Sequence, residues 1–217
     1  MVSVIISLFN NVQSYYKSFI FDRSHLTDLI LNPNLNMTEI VQNTDDIINN
    51  DSKLYSAMLQ YMAGNCWLNG KLSRGKKLEG KDKEIYDGVN KLAHSVKPLS
   101  YSISLFHGFE YNTDYNEHAW YIGKNISIPG FLSKTPSFQV ANKFASSRGY
   151  LDYYNRKFLV VQYPKGSRHI GADIRHPTDP EYEYLTFSGE QLQLINIHRI
   201  LSFPIIMTFY VCKSLDY

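Results

Sequence analysis

A chain of 217 residues and 25.1 kDa makes one domain, or one domain with a sizeable N-terminal extension. With 44% hydrophobic and 19% charged residues it can bury a core, which excludes a disordered chain. The 22 Lys and Arg against 20 Asp and Glu leave a formal net charge of +2, which argues against a general electrostatic nucleic-acid binder, and two cysteines exclude a disulfide framework.

Val2 to Phe9 is apolar but short, and no cation precedes it. It reads as a buried strand or a first helical turn rather than a secretory leader. No stretch is long enough for a membrane span, so the expected location is the cytoplasm of a host or producing cell. Ser24 caps a helix over His25–Leu31, which Asn32-Pro33-Asn34 ends. Asn36 caps a second, with Met37, Ile40, Val41, Ile47 and Ile48 on its apolar positions. Asp51 or Ser52 starts a third, carrying Leu54, Tyr55, Met58, Leu59 and Met62. Lys71 to Asp82, rich in Gly and Lys, reads as a solvated connector. Lys83 to Val96 reads as a fourth helix with Ile85, Val89, Leu92 and Ala93 on one face.

After Pro98 the texture turns to strands: Tyr101–Phe106, Lys157–Tyr163, a segment through Leu192, Leu194 and Ile197, and Ile205–Val211. Ser137–Ser146 breaks the series with helical spacing. Helices first and strands afterwards predict an α+β fold rather than a repeating βαβ one. The division expected is a helical lobe over 1–97 and a β-rich core over 98–217, together forming one domain. No phosphate-binding Gly-rich loop, G-x-S-x-G or H-E-x-x-H occurs, and the scattered histidines have no metal-ligand spacing.

Two short stretches carry chemistry. In Pro180-Glu181-Tyr182-Glu183-Tyr184-Leu185, aromatics alternate with carboxylates. On a strand, Glu181 and Glu183 stand on one face. Such a pair can do acid/base work or stabilise a developing cation, and equally can be a solvent-facing strand edge. In Gly130-Phe131-Leu132-Ser133-Lys134-Thr135-Pro136, Ser133 and Thr135 share a face, whereas Lys134 points away and reads as solvated.

In order along the chain, Tyr61-Met62-Ala63-Gly64 with Leu68-Asn69, Leu105-Phe106-His107-Gly108, Phe131-Leu132-Ser133-Lys134-Thr135, Val140-Ala141 through Phe144-Ala145, and Pro164-Lys165-Gly166-Ser167 followed by Glu181-x-Glu183 form a series. It resembles the ADP-ribosyltransferases of the arginine-serine-glutamate class, which includes clostridial binary-toxin, vertebrate ecto- and phage enzymes. The resemblance implies a helical lobe on a split β-sandwich, with NAD in the cleft as ADP-ribose donor and no metal. It implies that Glu183 is the catalytic glutamate, on the ribose 2′-hydroxyl and the developing cation. Glu181 would orient an arginine acceptor on a partner protein. Ser133 would hold Glu183 and touch the ribose, with Thr135 beside it. Phe144 either packs its ring against nicotinamide or fills the core face of its helix. Arg148 is placed to reach the diphosphate, or lies on the surface.

The series breaks at one residue. His107 stands where the family carries an arginine that braces the NAD diphosphate and neighbouring strands. A histidine lacks the guanidinium fork and is only fractionally charged near neutrality. Either His107 binds NAD in a variant way, with Gly108 beside it and Arg148 supplying the charge, or NAD binding is weakened, or His107 is a buried structural residue. The functional expectation is a mono-ADP-ribosyltransferase acting on a protein arginine. The alternatives are an NAD glycohydrolase, a fold-retaining binding module without turnover, and a plain structural α+β domain. Abundant Asn, Ile, Lys and Tyr point to an AT-rich, viral or phage source.

Overall fold

The computed structural model describes residues 37–109, 119–146, 155–172, 183–202 and 205–217. The expectations for Val2–Phe9, for the helix at His25–Leu31, and for Glu181 and Arg148 fall outside the described residues. Three helices come first: α1 (Met37–Ile48), α2 (Ser52–Ser73) and α3 (Gly80–Ser95). Asp51 caps α2, accepting from the backbone N–H of Lys53 at 3.1 Å and of Leu54 at 3.2 Å. Those bonds, the Leu54 one foremost, hold its carboxyl below the usual range. Its other oxygen takes Lys91 of α3 at 3.3 Å, tying the two helices. The connector between them is shorter than the composition suggests. Lys71 lies inside α2 and Asp82 inside α3, and an ion pair joins them. The Gly-rich texture ends at Gly75 and Gly80, both at positive φ, where the chain leaves one helix and enters the next.

The strands are β1 (Ile103–Gly108), β2 (Asn125–Ser127), β3 (Asn155–Tyr163), β4 (Ile170–Ala172), β5 (Glu183–Leu185), β6 (Gln191–Ser202) and β7 (Ile205–Ser214), with α4 (Phe138–Ser146) between β2 and β3. Short β2 and β4 have no period long enough to be read from sequence. Five strands form a sheet in the order β1-β3-β7-β6-β2, and β4 pairs with β5 in a second sheet. β3 and β7 run parallel; the other neighbours are antiparallel. This is the α+β arrangement that the order of helices and strands predicts.

β3 explains the packing. It lies inside the sheet, so Phe158 to Val161 form an uninterrupted buried run. Phe158 and Val160 join Phe106, Phe209, Val211 and Ala141 under α4, while Leu159, Val161 and Tyr163 face Leu105, Leu194, Cys212 and Tyr184 on the other side. The helices have their own core, through Met58, Tyr61, Val89 and Leu92, which takes in Phe131, Ile170 and Leu185 from the strand half. Helices and second sheet are thus one hydrophobic unit. Burial pushes the Cys212 thiol up to about 12, so it packs as an apolar side chain.

Candidate active site

The segment from Phe131 to Thr135 joins the two sheets. Thr135 and Phe106 of β1 exchange backbone bonds of 2.7 and 2.8 Å. Lys134 and Tyr184 of β5 exchange bonds of 3.0 and 2.7 Å. One residue therefore belongs to the first sheet and its neighbour to the second. Asn69 of α2 fixes the entry to the segment, because its amide copies a strand edge. Its Nδ2 donates to Phe131 O at 2.7 Å, and its Oδ1 accepts from Phe131 N at 3.0 Å. Gly130 makes the approach feasible, since a Cβ there would lie 2.4 Å from Asn69 Oδ1.

Beyond the segment the chain turns into α4. Ser137 caps it by accepting from Val140 N at 3.3 Å, and Thr135 Oγ1 accepts from Ser137 N at 3.1 Å. The Thr135 hydroxyl thus spends one lone pair on the local turn and keeps its proton and a second lone pair. α4 lies so close to β1 that a Cβ on Gly108 would meet Ala141 O at 2.1 Å and Ala145 N at 2.8 Å. Both are backbone atoms, so the helix would have to move. We expect Gly108→Ala to destabilise the fold by about 2 kcal/mol, read as a lower urea midpoint in equilibrium unfolding.

These elements enclose a cavity of about 160 Å³. His107 and Gly108 border it from β1, Ser133 and Thr135 from the joining segment, Phe144 from α4 and Glu183 from β5. The structure therefore brings together every sequence-predicted site residue that it describes. Phe144 does not fill the core face of its helix. It is 37% exposed and borders the cavity. Phe106, Val140 and Ala141 complete the apolar wall, and the helical spacing of Val140 and Ala141 with Phe144 is the signal in the sequence.

His107 is half-buried. Its Nδ1 lies 2.7 Å from Ser133 O. A carbonyl only accepts, so Nδ1 carries the proton and donates, which leaves Nε2 with the lone pair. That Nε2 is buried and without a hydrogen-bond partner among the described residues. Burial, with Lys134 adding to it against the pull of the Ser133 bond, brings the imidazole down to about 4. His107 is therefore neutral at physiological pH. It ties β1 to the joining segment and supplies no charge.

Lys134 corrects an expectation. It does point away from Ser133 and Thr135, but into the interior, at 1% exposure. Its Nζ donates to Glu190 Oε2 at 2.8 Å and to Thr186 Oγ1 at 3.0 Å, and lies 5.0 Å from the centre of the Tyr163 ring. An alternating pattern tells which face a residue takes, not what lies behind that face. No group of three or more His, Cys, Asp or Glu able to hold a metal occurs among the described residues. No helix among them is long and apolar enough to cross a membrane.

A mixed five-stranded sheet, a second small sheet, a helical lobe and a cleft at their junction with Glu183 on its wall make up the ADP-ribosyltransferase fold. No family model and no curated protein matches the chain. Solved structures do. Plx2a, an ADP-ribosyltransferase toxin from Paenibacillus larvae, aligns with a TM-score of 0.63 at 13% identity over 82% of this chain and 92% of that one. Exoenzyme S from Pseudomonas aeruginosa, solved with human 14-3-3 protein beta and bound to carba-NAD, gives 0.60 at 15% identity over 88% of each chain. The ADP-ribosylating toxin BECa of a C. perfringens binary enterotoxin, solved with NADH, gives 0.61 at 16% identity over 85% of this chain and 50% of its own. The chain has the fold of ADP-ribosyltransferase toxins, those of clostridial binary toxins among them.

Proposed function

We propose that the protein is a mono-ADP-ribosyltransferase that takes NAD as donor and a protein side chain as acceptor. The observation that carries this reading is the convergence of Glu183, Ser133, Thr135 and Phe144 on one cavity in this fold. The cavity is small beside the roughly 300–1,000 Å³ of a pocket that encloses a drug-sized ligand, so it suits one end of an extended dinucleotide. Phe144 offers the nicotinamide ring an aromatic face. Ser133 and the Thr135 hydroxyl serve the ribose.

The bond between nicotinamide and ribose breaks, and nicotinamide leaves neutral because it departs from a cationic pyridinium. No strong general acid is needed. Positive charge develops on the ribose as in glycoside cleavage, and Glu183 opposes it while holding the 2′-hydroxyl. The acceptor nitrogen then bonds to the anomeric carbon and passes its proton to the Glu181 carboxylate. Glu181, two residues before Glu183, is assigned the orientation of that nucleophile, and a glutamate there favours arginine. His107 fixes the main chain of Ser133, and the charge for the diphosphate falls to Arg148.

The neutral His107 favours one competing reading, a fold-retaining binding module that grips NAD too weakly to turn it over. Nicotinamide release by the purified chain, measured with labelled NAD with and without a cell lysate, separates these. Release with label on a lysate protein supports the transferase. Release without label selects the glycohydrolase. No release together with a stable protein complex selects the binding module.

A further inference from the structure

The buried charges behind the cleft have no part in the chemistry just described, yet they touch both strands that carry it. Lys134 lies between Ser133 and Thr135. Its backbone is bonded to Tyr184, the residue after Glu183. Its side chain reaches past the end of β5 to Thr186 and Glu190, and Thr186 Oγ1 donates to the same Glu190 oxygen at 3.0 Å. Lys134 thus grips one strand and its continuation at three points, by main chain at Tyr184 and by side chain at Thr186 and Glu190. β5 is only three residues long and pairs with an equally short β4, so its ladder alone holds it weakly. The side chains of Lys134 and Glu190 are 0% and 1% exposed. Burying such a pair brings little net stability against apolar residues of the same volume, so its presence calls for another reason.

We infer that the Lys134–Glu190 pair, with Thr186, is a positioning device that sets Glu183 against Ser133 across the seam between the two sheets. Lys134 is a positioning residue and not a catalytic one, because it acts through β5. The inference rests on the NAD-cleaving reading for its effect on rate, but not for its effect on the seam.

Three variants of the full chain test it. Lys134→Met strands a buried carboxylate and destabilises the fold. Lys134→Met with Glu190→Leu removes both charges and returns most of the lost stability, yet leaves no cation reaching Thr186. Val89→Ala, in the helical core, is a stability control that removes no polar group of the seam. Amide hydrogen exchange at Lys134 and Tyr184 is expected to rise at least about tenfold beyond the change at Leu92 in both Lys134 variants. Their kcat for NAD should fall about tenfold or more with KM within about twofold, the signature of a group that matters in the transition state. Val89→Ala should change exchange uniformly and leave kcat alone. If the double variant recovers stability, seam protection and kcat together, the pair is interior filling and the inference is overturned. If the wild type turns over no NAD, the functional reading fails, and seam exchange still decides this one: no excess over Leu92 overturns it.

Discussion

Glu183→Gln is expected to lower nicotinamide release from NAD by roughly 10²–10³-fold while leaving the fold intact. The substitution keeps the shape of the side chain and removes its charge. In a cleft walled on one side by Phe106, Val140, Ala141 and Phe144, a charge opposed to the developing ribose cation is screened less than in bulk water. Removing one preorganised electrostatic partner of a transition state costs about 3–4 kcal/mol in such sites, which is the loss stated. NAD affinity should change far less, because the uncleaved ribose carries less positive charge for Glu183 to oppose. Single-turnover kinetics beside equilibrium titration of NAD, both with unlabelled acceptor, make the comparison. Equal losses in binding and in rate would reduce Glu183 to a ligand-holding residue.

The second large effect concerns acid. The His107 imidazole is held from 6.5 down to about 4, and burial pushes that of His169 well below its ordinary value as well. A histidine whose folded value is depressed binds its proton more weakly folded than unfolded. Its contribution is complete above about pH 6.5, and it is lost as pH falls towards about 4. Across that window each such group costs about 1.4 kcal/mol per pH unit, so His107 alone accounts for something on the order of 3 kcal/mol. Urea unfolding followed from neutral to acid pH should show the stability falling accordingly. His107→Asn retains a donor for Ser133 O and cannot titrate, so it should remove the His107 share of the slope. An unchanged slope would place the acid sensitivity in His169 and the carboxylates. For the same reason, turnover should show no inflection from His107 between about pH 6 and 8, where an ordinary histidine would titrate.

The comparison of Lys134 with Ser133 and Thr135 shows how far alternation carries. The period of two correctly separates the middle residue from the outer two. It cannot say that a carboxylate from beyond β5 waits behind the strand, because Glu190 is remote in sequence and its partner is chosen by the second sheet. His107 is similar. The resemblance sets a histidine against the family's arginine and leaves three roles open. The Ser133 carbonyl at 2.7 Å fixes the tautomer, and burial, against the pull of that bond, keeps the ring neutral. For Phe144, helical spacing is equally compatible with core and cleft. The close seat of α4 over Gly108 decides it, since the helix turns that position to the cavity.

By itself the sequence determined the order of helices before strands, most of the longer elements, and the set of side chains worth watching. These depend on local periodicity, capping and turn chemistry, which act over a few residues. Tertiary structure alone decided where the short strands β2 and β4 form, that Lys134 is buried in an ion pair, that His107 is neutral, and that Asn69 holds the entry to the joining segment. Those outcomes depend on desolvation and on partners distant along the chain, and neither is written in any local stretch of residues.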